Sequence, residues 1–198
     1  GGDSIPANYG ELVLAMQQLP ASALCFGNIA FFWYAHYAWS RRYGLEDARS
    51  TILSLILIFL VLAFVFPLKA VYSGAFLFVP GIDPESAFTF SSVGDFGVML
   101  VIFGMAFSSL SSIIVLLNWH ALWVADTIGL SPTERFDTVT TIHLWLVNAL
   151  LPLGSVAIAL FASGLWLIAA AVYYIVFGAV MPIVSVQRQR QRRVLFPE

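Results

Sequence analysis

Five apolar runs, each approaching or exceeding the roughly 20 residues that a helix needs to cross about 30 Å of hydrocarbon, fall at about 12–40, 50–78, 93–125, 138–162 and 164–186. No single-layer soluble fold can hide so much apolar length. With 60% hydrophobic and 10% charged residues among 198, the chain lies far outside soluble usage. The expected fold is all-α: one polytopic helical membrane domain over residues 1–198, with about five transmembrane helices. Its partners are then the lipid bilayer and other membrane segments. Nucleic-acid binding is not indicated, because the nine basic residues sit almost wholly in short polar punctuation between apolar runs and at the C-terminus. The lone Cys25 excludes an intrachain disulfide and a cysteine-based metal cluster, and no cofactor or metal is expected.

The runs are separated by signals of the expected kind. Pro20 starts or kinks the first, so that its dense membrane portion is 21–39. Pro67 and Lys69 place the membrane core of the second at 51–66, followed by an interfacial stretch. "VPGIDPES" is a turn-rich loop. Ser131-Pro132-Thr133-Glu134 has the form of a helix start, and the fourth and fifth runs are joined by little more than "ASG", which makes them antiparallel neighbours.

Lysine and arginine set the orientation, since positive loops stay in the cytoplasm. Arg41, Arg42 and Arg49 follow the first run, Arg135 follows the third, and Arg188, Arg190, Arg192 and Arg193 follow the fifth, eight in all against Lys69 on the other side. The N-terminus is therefore expected outside and the C-terminus in the cytoplasm. Arg41, Arg42 and the four tail arginines are expected at the level of lipid headgroups. An outside N-terminus opening on Gly-Gly-Asp-Ser, without a signal-peptide pattern, leads to the expectation that something upstream is not represented.

At about 100° per residue, Ser22, Cys25, Asn28, Phe32, His36 and Ser40 share a face of the first helix, with Trp33 beside it. Polar groups at membrane depth face protein or water. Asn28 and His36 thus mark the inside of a bundle, through interhelical hydrogen bonds or beside an ion path. Trp33 and Trp39 read as packing and interface anchors. On the third helix Gly97, Gly104, Ser108, Ser111 and Asn118 form a small-residue stripe suited to close helix packing. His120 falls at the membrane boundary and reads as interfacial. On the fourth, Thr141 and Asn148 share a face and Pro152 loosens the helix, while His143 lies off that face. The fifth reads as a packing helix.

From Tyr9 to about Pro67 the order Glu11-Leu12, Pro20, Phe26, Trp33, His36, Asp47, Pro67 resembles the second and third helices of the lysosomal and bacterial potassium channels named after transmembrane protein 175. Cys25 stands where serine is usual, Ser54 where asparagine is usual, and Tyr37 where a second histidine is common. The resemblance implies six helices per bacterial subunit, four subunits around one axis and a potassium-permeable pore lined by a first helix marked by Arg and Phe-Ser-Asp-Gly. No Phe-Ser-Asp-Gly occurs in this sequence. Either the pore helix lies outside it, or the chain is a relative that does not make the pore.

On that resemblance the chain is expected to be a subunit of a potassium channel, a homo-oligomer (a tetramer) in the bacterial plasma membrane. Asn28, Trp33, His36 and Ser54 would form an ion-pathway or pore-bracing network. The alternative is a non-conducting scaffold or accessory subunit. An enzyme is not expected, because His-Glu-x-x-His, Gly-x-Ser-x-Gly, a phosphate-binding glycine loop and a membrane-embedded carboxylate pair are all missing from the sequence.

Overall fold

The structure, a computed structural model, describes residues 8–75 and 93–161. They form five helices: α1 (Tyr9–Gln17), α2 (Leu19–Tyr43), α3 (Ala48–Ala75), α4 (Val93–Trp123) and α5 (Pro132–Phe161). Four stretches among the described residues are long and apolar enough to span a membrane, α1 with α2 counting as one. The run at 164–186, the "VPGIDPES" loop and Arg188, Arg190, Arg192 and Arg193 lie outside the described residues.

Local chemistry sets the helix ends. Asn8 caps α1, its Oδ1 accepting from Glu11 N at 2.9 Å. The expected first helix is divided at Gln18, which provides no side-chain cap for α2; Pro20 instead sits at its first turn, where a missing N–H costs nothing. Gly44, at φ 57°, closes α2 in the left-handed conformation that glycine adopts without strain, and its N–H reaches Ser40 O. Arg41 and Arg42 in the last turn complement the helix dipole. Ser131 and Glu134 form a reciprocal capping box, with Ser131 N donating to Glu134 Oε2 at 2.8 Å and Glu134 N donating to Ser131 Oγ at 3.3 Å. That box starts α5 at Pro132, six residues before the apolar run begins, because capping follows polar groups and not hydropathy.

Both prolines lie inside helices, as the expected runs allowed: α3 continues through Pro67 to Ala75 and α5 through Pro152 to Phe161. Each ring removes one backbone donor, a loss that flanking turns tolerate in a long apolar helix.

α4 is the central element. Its most extensive packing is on α5, and it also packs on α3 and α2. Of its apolar window 56% is buried, against 11% for the windows of α1–α2 and α3. The core joins Phe32, Trp39 and Tyr43 of α2, Leu57 of α3, and Leu110, Ile114 and Leu117 of α4. Phe32 is completely buried, with its ring edge-on to Phe107 at 5.1 Å and near Trp145 of α5 at 5.6 Å. Lipid tails are as apolar as leucine, so such contacts hold helices together by close packing rather than by escape from water.

Candidate functional site

The polar face of α2 is turned onto α3. Asn28 Nδ2 donates to the Tyr72 hydroxyl at 2.9 Å, His36 Nε2 lies 2.8 Å from Ser54 Oγ, and Cys25 Sγ points at Val65 O at 3.7 Å. Ser54 Oγ also donates to Ser50 O at 2.8 Å. A hydroxyl has one proton, and with it spent on Ser50 the imidazole must donate, which assigns the proton of His36 to Nε2. The neighbour for which Asn28 and His36 are shaped is thus the next helix in the chain. The short α2–α3 connection places it alongside.

Trp33 does not join that seam. It is 62% exposed and stacks on Tyr37 with ring centroids 5.3 Å apart and planes 9° from parallel. Ser40 is likewise exposed. Phe32, Trp33's neighbour in sequence, takes the buried position because it lies nearer the centre of the face that meets α4. Trp39 is a packing anchor: it is 4% exposed and donates Nε1–H to Leu117 O at 2.9 Å, pinning α2 to α4.

On α4, Gly97, Gly104, Ser108 and Ser111 are all buried, and Ser108 Oγ donates to Ala149 O of α5 at 2.6 Å. Asn118 spends its Nδ2 on Ile114 O at 2.8 Å. On α5, Asn148 is buried and Thr141 half-buried, its hydroxyl donating to Asp137 O, while His143 is exposed and lies 2.7 Å from Val139 O.

The arginine-bearing end carries a second set of links between helices. His120, near the end of α4, is 7% exposed, and its Nε2 meets Asp47 Oδ2 at 2.5 Å. The other carboxylate oxygen of Asp47 accepts from Ser50 N at 2.8 Å and Ser50 Oγ at 2.9 Å. These bonds, the Ser50 backbone N–H foremost and then His120, hold the Asp47 carboxyl down at about 2 from its ordinary 3.8. Tyr43 OH donates to Thr138 Oγ1 at 2.8 Å, since that threonine spends its own proton on Glu134 O. Arg42 reaches Glu134 O at 3.4 Å and the Asp137 carboxylate at 3.7 Å, so it is turned onto α5. Arg41 stays outward, its guanidinium 3.3 Å from Tyr37 OH. Arg135 pairs with Asp126 at 2.5 Å.

These links were not singled out in the sequence. The signal available was that Asp47, His120 and Asp137 all fall at the ends of runs on the side that collects arginine. Among the described residues no group of histidine, cysteine and carboxylate side chains could hold a metal ion. What the arrangement offers chemically is neutral hydrogen bonding at membrane depth and ion pairing at one end.

These helices define a polytopic helical membrane protein, all-α, with polar seams between its spans. No family profile matches the chain. A potassium channel of Marivirga tractuosa is 29% identical over 164 residues, which cover 79% of this chain and 66% of the relative, so the chain spans just under two thirds of that protein. The crystal structure of a variant of the potassium channel MtTMEM175, in complex with a nanobody–MBP fusion protein, superposes with a TM-score of 0.80 at 24% identity, covering 95% of this chain and 84% of that one. The chain has the TMEM175-like fold, as the residue pattern from Tyr9 to Pro67 implied.

Proposed function

We propose that the chain is the body of a potassium channel subunit, conducting passively through a pore formed by several copies in a bacterial plasma membrane. The observation that carries this reading is the fold shared with a potassium channel over 95% of the chain, joined by sequence similarity to a second protein of that name. Passive permeation needs a path and a constriction rather than a chemical cycle. In this reading the Asn28–Tyr72 and His36–Ser54 bonds keep α2 fixed on α3, and Trp33, outward on its stack with Tyr37, braces the pore-lining element. Four subunits around one axis is the arrangement the resemblance implies.

The test is potassium flux from liposomes containing the full-length protein, with subunit number read by mass measurement of the purified complex. Potassium efflux that depends on the protein, from a tetramer, supports the proposal. A correctly inserted oligomer that passes no cation in either direction overturns it in favour of a scaffold subunit.

A further inference from the structure

At the arginine-bearing end, Arg49 in the first turn of α3 lies across the ring of Trp123, with Cζ 4.4 Å from the ring centroid. Trp123 is 64% exposed, and Trp119, one turn earlier on the same face of α4, is 61% exposed. Ion pairs among the described residues use Arg42, His120 and Arg135, not Arg49. Asp47, two positions away in sequence, commits its oxygens to Ser50 and His120, leaving exposed Glu46 as the other carboxylate nearby in sequence. A guanidinium stacked on an indole keeps its N–H edge free for a phosphate, which it matches in a two-pronged geometry. Exposed tryptophans at the end of a span occupy headgroup depth and lay their rings against glycerol and upper acyl chain.

We propose that Arg49, Trp123 and Trp119 form a docking surface for the headgroup of an anionic phospholipid. The occupant is a lipid rather than free phosphate, because the two indoles beside the cation give an acyl-bearing molecule apolar contact that an inorganic ion cannot use. The site is separate from the α2–α3 seam and does not depend on conduction.

The test uses the full-length protein in phosphatidylcholine vesicles containing rising fractions of brominated phosphatidylglycerol or, in parallel, brominated phosphatidylcholine. Bromine quenches nearby tryptophan, and the difference between the parent and W119F/W123F isolates these two rings. The anionic lipid is expected to quench that increment about fivefold more effectively than the zwitterionic one, the factor that corresponds to about 1 kcal/mol for one arginine at the surface. R49Q brings the ratio close to one, R49K gives an intermediate value because charge survives without the fork, and R41Q leaves it unchanged. Should R49Q fail to insert, R49K together with a rise in salt reads the same charge. The proposal is overturned if R49Q, or R49K in high salt, keeps the full preference, or if millimolar inorganic phosphate abolishes it.

Discussion

His120, buried near the end of α4, and Asp47, in the connection between α2 and α3, are 73 residues apart in sequence and 2.5 Å apart in space. One carboxylate thereby caps α3 and holds α4, so that two local structures share a single anion.

Replacing Asp47 should therefore cost more than a surface charge does. D47A removes the cap, worth about 1 kcal/mol, together with the acceptor for His120. D47N retains some capping ability and should be less damaging. Unfolding in detergent, followed by helical signal, orders the three proteins as wild type, D47N, D47A.

The same residue gives a pH signature. Its carboxyl titrates near 2 when folded and at 3.8 ordinarily, so the unfolded chain binds its proton more readily than the folded one. The resulting stabilisation is complete above 3.8 and disappears as pH falls towards 2. The stability difference between wild type and D47N should shrink as pH falls between 4 and 2. A difference that stays constant through that acid range contradicts the assignment.

His36 and Ser54 should be coupled. Interhelical hydrogen bonds within membranes average about 0.6 kcal/mol and reach about 1.7, so a cycle of H36A, S54A and the double variant should give an interaction energy in that range. On the proposed channel reading, H36A should change assembly or open probability while leaving ion preference intact. Altered selectivity with normal assembly would count against a bracing role.

Neighbouring aromatics should separate fold from assembly. Phe32 is fully buried and Trp33 is 62% exposed. F32A should destabilise by about 3–5 kcal/mol. W33A should leave the subunit's thermal unfolding nearly unchanged and, if its ring braces a partner, weaken oligomerisation seen by native mass measurement.

The α4–α5 contact should tolerate no bulk. Gly104 is buried on the face that carries Ser108, whose hydroxyl meets Ala149 O at 2.6 Å. G104L should force the helices apart and lower the unfolding temperature sharply, whereas S108A should cost about 0.6 kcal/mol.

The four spans among the described residues were legible, because a membrane imposes a length that hydropathy reports directly. The third was placed at 93–125 and is found at Val93–Trp123. The polar stripe containing Asn28 and His36 was legible as a face, since helical periodicity fixes which residues look the same way. Its target was not, because periodicity says nothing about which neighbour stands opposite; Tyr72 and Ser54 had to be located in space. Asp47–His120 and Arg42–Asp137 escaped for a similar reason. Both join residues at the ends of different spans, and only packing determines which ends meet. Pro67 and Pro152 sit inside α3 and α5 without ending them, because a helix at membrane depth has no alternative partner for its backbone.

α4 holds Trp39 through its Leu117 carbonyl, Ala149 through Ser108 and Asp47 through His120. Three different elements are thus latched to one rod at three heights. An axial slip of a few ångströms would have to release all of these latches together, so α4 is the poorest candidate for a sliding part. Movement between helices is better sought along the exposed faces of α2 and α3 than along their common support.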